Sequence, residues 1–388
     1  MQEIDSIVDF KVWILNPESP AAIQALDLQS SEDQILMHQF PGSLFLGCLL
    51  SNDAAGHIVK TGGTVISNRD QFKFKVHKSH LYSVDELFEG FDPADKNGYL
   101  NTYDYQIYKE YLATGMETPP SIEVSLARRL HDHSITDALL ETLEGKKVVA
   151  VMGGHSMERQ DPFYLKVAKI SRKLTLLGFL MVSGGGPGAM EATHLGAYFA
   201  HYSEEDLINA IEDIKVREPG APAGREYEDG DWLIRAWKVL IKYPIPKERT
   251  DDYKSIGIPT WLYGHEPPAP FATQIAKYFA NSVREDGLLT IAKHGIIFAP
   301  GSAGTTQEIF QDAAQNHYAP YNNQPIKKYV SPMILFGIKR WTEDRPVWDL
   351  LKKVSENRPY GDLIALTEDE TKVIDLIKSY DPENYQFP

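Results

Sequence analysis

Between residues 146 and 337, short β-type runs alternate with helix-like stretches. This alternation constrains the chain more than any other feature, because strands and helices in strict succession build a parallel sheet covered by helices. The runs are KKVVAVM, FLMVSG, IPTWLYG, GIIFAP and SPMILFG. The first, second and fourth end in glycine-containing turns that lead into the amphipathic segments DPFYLKVAKISRKLTLLG, AMEATHLGAYFAHY and TTQEIFQDAAQNHY. The fold class predicted is α/β, a doubly wound parallel sheet with helices on both faces. Ligands bind such sheets at the carboxyl ends of the strands, so those three turns are where a site is sought.

Residues 1–120 read as a separate α+β unit, with DFKVWIL, GGTVISN and FKFKV as strands and an end near the proline pair of GMETPPS. The sheet domain is taken as 121–388, with its core at 146–340. IEVSLARRLHDHSITDALLETLEG serves as a helical lead into it. A long insertion at about 203–255 contains two helical pieces, LINAIEDI and WLIRAWKVL, around a charged Gly/Pro turn. Its place beside the strand ends suits a lid or an oligomer contact. Beyond 340 the chain reads as closing helices. No internal repeat or low-complexity tract is visible.

Composition limits the chemistry. A chain of 388 residues can bury a full core without cross-links. Its single cysteine, Cys48, leaves no intrachain disulfide and no Cys-based zinc site, which fits a reducing compartment, the cytoplasm. MQEIDSIVDFKVWIL lacks the basic and apolar regions of a signal peptide. FPGSLFLGCLL is far shorter than the roughly 20 residues a membrane helix needs. With 54 acidic against 39 basic residues the formal charge is −15, which opposes non-specific binding to nucleic acid or anionic membranes. An anion site must then come from backbone amides and helix N-termini.

The three turns differ in what they offer. In VMGGHSMERQDPF, Gly153 and Gly154 allow close backbone approach, while His155, Ser156 and Arg159 can hydrogen-bond phosphate or base. VSGGGPGAMEA matches the dinucleotide fingerprint at Gly184, Gly186 and Ala189. However, it follows the second run rather than the first, and the acids about the right distance on, Glu204 and Glu205, open a polar helix instead of closing a strand. A mononucleotide site, a dinucleotide site and a plain packing turn all remain open for Gly185, Gly186 and Gly188. In FAPGSAGTTQEIF, Gly301 and Gly304 free the backbone, and Ser302, Thr305 and Thr306 supply hydroxyls ahead of a helix N-terminus. That is an anion cradle without the lysine of a Walker loop. Glu308 on its own reads equally as a first-turn carboxylate favoured by the helix dipole. DPADKNGYLNTYD only imitates a calcium loop: aligning Gly98 with the invariant glycine puts Pro93 where the first carboxylate must be. No metal is expected.

Taken together, GGHS, SGGGPGAMEA and APGSAGTTQE resemble the LOG family of Rossmann-type nucleotide-binding proteins, long mislabelled lysine decarboxylases. GGHS and GPGAMEA are most similar to its branch of pyrimidine/purine nucleotide 5′-monophosphate nucleosidases. The resemblance covers roughly 146–340 and implies a Rossmann-like sheet. The family pattern P-G-G-x-G-T-x-x-E stands here as Pro300 to Glu308, with Ser302 replacing the second glycine and Gln307 standing where many relatives carry a further glutamate. It implies Glu308 as one catalytic residue and Arg284, in YFANSVREDGLL, as the other. Arg284 lies one residue off the family spacing, with Glu285 at the ungapped position. Such a shift turns a helical side chain by about 100°, and it leaves Arg249 and Arg225 as substitutes.

The resemblance implies a phosphoribohydrolase that cleaves the N-glycosidic bond of a nucleoside monophosphate to release free base and ribose 5-phosphate. The phosphate would rest on the glycine turns, Glu308 would face the ribose, and Met190 and Glu191 would line the base or ribose pocket. No cofactor is implied, and a homodimer or higher homo-oligomer is. The other readings are a non-catalytic nucleotide sensor, which Ser302 and the displaced Arg284 suggest, and an NAD(P)-dependent oxidoreductase using the fingerprint at Gly184.

Overall fold

Two parallel sheets organise the chain, and a computed structural model describes residues 1–68, 71–216, 220–319 and 330–383. Residues 217–219 of the insertion and 320–329 of the sheet domain lie outside the described residues. Two units separate: Met1–Leu81 with Lys109–Glu144, and Tyr82–Tyr108 with Gly145–Pro388.

The first unit has four strands, β1 (Gln2–Ile4), β2 (Ala21–Gln24), β3 (Leu44–Leu46) and β4 (Thr64–Ile66), paired in parallel and in sequential order. Helices Ile7–Trp13, Glu32–Leu36 and Asn52–Lys60 fill the crossovers. Strand starts at residues 2, 21, 44 and 64 form a structural recurrence that no sequence repeat announces. DFKVWIL, expected as a strand, is mostly helix. Ser6 caps it by accepting from the Asp9 N–H, and it buries Phe10 and Trp13, three apart, while Val8 and Val12 stay exposed. That is the period of a helix face. GGTVISN supplies β4, whereas FKFKV forms no strand.

In the second unit the strands are β5 (Lys147–Met152), β6 (Phe179–Ser183), β7 (Ser255–Gly257), β8 (Gln274–Ile275), β9 (Ile296–Phe298), β10 (Met333–Phe336) and β11 (Ile364–Thr367). They pair in parallel in the order β11-β10-β9-β5-β6-β7-β8. This is an α/β, Rossmann-like doubly wound sheet. β5 and β6 are buried almost throughout, as strands covered on both faces must be. The chain steps outward from β5 to β8, then returns to lay β9 on the other side of β5. The order therefore reverses between β5 and β9, and a crevice opens at such a point.

Some local expectations fail here. IPTWLYG holds a 3-10 turn, Trp261–Tyr263, and the strand is the SIG just before it. β8 is two residues long, and β11 lies in the tail that reads as helical. Helix Ile122–Leu143 belongs to the first unit, whereas Tyr82–Tyr108 belongs to the second, so the division does not fall at residue 120. Long-range polar contacts explain the second assignment. Tyr82 and Ile275 exchange backbone hydrogen bonds of 3.0 and 2.8 Å. The buried Asp104 carboxylate receives Lys277 Nζ at 2.6 Å, Tyr99 Oη at 2.8 Å and Trp261 Nε1 at 3.0 Å. Among the described residues, no helix is long and apolar enough to cross a membrane.

Candidate active site

The reversal point brings the three glycine turns together. Parallel pairing sets Met152 beside Phe298, the Ala299 N–H donates to Met152 O at 2.8 Å, and the Gly154 N–H donates to Pro300 O at 3.1 Å. From the turn after β6, the Ala189 N–H reaches Gly154 O at 3.2 Å. Side chains would prevent this approach. A Cβ at Gly153 would stand 2.5 Å from the Ala189 Cβ. Gly188, at φ +71°, would put one 2.4 Å from Gly154 O.

In the third turn the hydroxyls divide their work. Thr305 is buried under Gly301, and the Thr306 hydroxyl donates to Ser302 O at 3.0 Å inside the helix. Arg340 holds Gly301 O from behind. Ser302 is exposed at the N-cap of helix Ala303–Tyr318 and, among the described residues, makes no side-chain capping bond. The first-turn amides beside it and Gly304 therefore remain open to an anion.

One helical turn on, Glu308 lies within the electrostatic reach of Arg284. Burial pushes the Glu308 carboxyl up to about 7; the Arg284 charge opposes that rise and Glu285 adds to it. Arg284 extends from helix Asn281–Ile291 so far that a Cβ at Gly184 would lie 3.6 Å from its Nη1. Its Nε has no hydrogen-bond partner among the described residues. Glu285, at the ungapped position, accepts instead from Gln307 and, at 3.1 Å, from Asn281. The other two arginines have carboxylate partners of their own: Arg225 pairs with Glu228 and also hydrogen-bonds Tyr227, and Arg249 pairs with Asp252 at 2.9 Å.

Two residues that the sequence did not single out complete this side of the crevice. Glu266 lies 3.3 Å from His155 Nδ1 and 4.0 Å from His265 Nε2. Burial raises its carboxyl, while His155, His265, a hydrogen bond from Tyr227 and the Arg284 charge all act in the opposite direction. Tyr227 comes from the insertion, and its ring centroid is 6.0 Å from that of His155. Gly224 of the same insertion packs against Ser156. A carboxylate set among histidine and prolines in GHEPPAP was the available signal for Glu266. Tyr227 had none, being one aromatic in a charged turn. Met190 folds over the second turn, its Sδ 2.7 Å from where a Gly184 Cβ would be.

Glu191 and Arg159 are placed elsewhere, as scaffold. Both side chains are fully buried and joined through two bonds, Nε to Oε2 at 2.9 Å and Nη2 to Oε1 at 2.5 Å. Tyr164 Oη donates to Glu191 at 2.8 Å, and Arg159 Nη1 donates to the carbonyls of Ile214 and Trp232. The guanidinium also lies 4.1 Å from the Trp232 ring centroid. With these partners neither residue is left to line a ligand pocket, contrary to the expectation from sequence.

No family model matches the chain. It is 25% identical over 196 residues to the pyrimidine/purine nucleotide 5′-monophosphate nucleosidases of Escherichia coli strains K12 and O157:H7. That match takes in 50% of this chain but spans only 32% of the length of those curated relatives. A solved structure, the molybdenum cofactor binding protein from the phototrophic bacterium Rippkaea orientalis, aligns over 60% of this chain and 96% of its own, at 17% identity and a TM-score of 0.36. The chain is thus distantly similar, over half its length, to proteins named as nucleotide nucleosidases.

Proposed function

We propose that the chain hydrolyses the N-glycosidic bond of a nucleoside 5′-monophosphate, releasing free base and ribose 5-phosphate. The observation that supports this reading is a buried Glu308 carboxyl, pushed up to about 7 and under the charge of Arg284, one helical turn past an uncapped helix N-terminus at the reversal point of the sheet. The phosphate rests on the amides after Ser302, anchoring the substrate away from the bond that breaks, so that binding energy positions the ribose. As the C1′–N bond lengthens, positive charge grows on the ribose. Ionised Glu308 stabilises that charge and accepts a proton from the attacking water. Arg284 holds ribose or phosphate oxygens and keeps Glu308 oriented. A site of this kind works in the cytoplasm, where nucleoside monophosphates are plentiful, and a homo-oligomer remains the expected assembly.

The test is incubation of pure, folded protein with a panel of nucleoside monophosphates, following free base by chromatography. Release from at least one is expected. Release from none sinks the reading.

A further inference from the structure

The reaction has a second requirement that Glu308 and Arg284 do not meet: the departing base leaves as an anion unless a proton reaches it. We propose that His155, held by Glu266, donates that proton to the leaving base, an inference that rests on the nucleosidase reading.

The geometry has three parts. First, the Nδ1 of His155 lies 3.3 Å from Glu266 Oε1, an ion-pair contact, and Nε2 has no hydrogen-bond partner among the described residues. A carboxylate on one imidazole nitrogen fixes the ring's tautomer and orientation and stabilises the imidazolium. Second, the two members differ in access. The His155 side chain is 48% exposed and Glu266 only 9%, so the imidazole reaches outward while the carboxylate stays in the wall. The Tyr227 hydroxyl and the more distant His265 hold the same carboxylate. Third, Arg284 and Glu266 lie over the same glycine turn: Arg284 Nη1 is 3.6 Å from where a Gly184 Cβ would be, and Glu266 Oε2 is 3.3 Å from where a Gly186 Cβ would be. In the proposed pose a ribose against Glu308 presents its base across that turn toward His155. Tyr227, tilted 73° to the imidazole, adds an aromatic wall for a planar base.

The step balances. The C1′–N bond breaks and its electron pair stays with the base nitrogen. His155 Nε2 passes its proton to a ring nitrogen of the base, the water oxygen bonds to C1′, and the water proton goes to Glu308. His155 touches the leaving group and is catalytic, whereas Glu266 acts through it and is a positioning residue.

The experiment compares two substrates: a nucleoside monophosphate and 4-nitrophenyl riboside 5-phosphate, whose phenolate departs without a proton. His155→Ala and Glu266→Gln should each lower kcat on the nucleotide about 100-fold, a typical contribution of general acid catalysis. On the aryl substrate both should stay within a few-fold of the unaltered protein. Glu308→Gln should lose both activities. An equal fall on both substrates for His155→Ala, or an unchanged rate on the nucleotide, overturns the assignment. Unaltered protein that cleaves neither substrate removes the nucleosidase reading and this one with it, whereas cleavage of both with an indifferent His155 removes only this one. Because His155 is half exposed, its replacement leaves the fold intact, and a melting curve checks that.

Discussion

Two arginine–glutamate arrangements sit in the same unit and teach opposite lessons. Arg159 and Glu191 are fully buried, doubly bonded and supplied with further partners on every side. Arg284 and Glu308 share only their electrostatic influence: the carboxyl is pushed up to about 7, and the arginine Nε lacks a protein partner among the described residues. A satisfied ion pair has nothing left to give a ligand. An unsatisfied one keeps a charge and donors in reserve, at a cost in stability that a substrate can offset. Perturbed groups of this kind gather at functional sites.

The largest effect that would break the comparison is on turnover. Glu308→Gln should lower kcat on a responsive nucleotide about 100- to 10,000-fold, the range for losing a positioned general base, with a melting temperature equal to or above that of the unaltered chain. An unchanged kcat would return Glu308 to the role of a helix-dipole residue. Glu191→Ala should do the reverse. It leaves the Arg159 charge buried and unpaired, at a cost of about 3–5 kcal/mol, readable by urea denaturation. Folded molecules should still bind nucleotide, because Glu191 does not line the crevice.

The smallest expected effect is in pH dependence. Glu308 has its ordinary value near 4.5 when unfolded and about 7 when folded, so between those limits the folded state holds more protons than the unfolded one. Its contribution to stability is thus present below about 4.5 and is lost as pH rises through about 7. Partial exposure reduces the amount to the order of 1–2 kcal/mol. Glu308→Gln should flatten that part of the stability curve relative to the unaltered chain. Identical slopes from pH 4 to 8 would show that the carboxyl is not desolvated.

Part of this organisation could be read from the chain directly. KKVVAVM, FLMVSG, GIIFAP and SPMILFG are apolar enough to be strands buried on both faces, and all four are. The glycine turns announced themselves by composition. DFKVWIL misled because, in a short window, an apolar run fits a strand and a helix alike until burial distinguishes its faces. Glu191 misled for a different reason. It stands one residue from Met190, which does overlie the turn, but consecutive helical residues point about 100° apart. Glu266 and Tyr227 went unread because neither lies in a patterned segment.

The order of residues along the chain therefore carries whatever depends on near neighbours: which runs are strands, where the backbone must be free of side chains, and that a carboxylate follows an anion turn by one helical turn. Partner choice across distance is a separate matter. Arg159 is joined to Glu191, Arg284 set against Glu308, and His155 set against Glu266 only when strands far apart in the chain pair side by side. A charge acts through space and through the medium around it. Whether a glutamate serves as scaffold or as acid–base group is settled by the groups that folding places within a few ångströms of it.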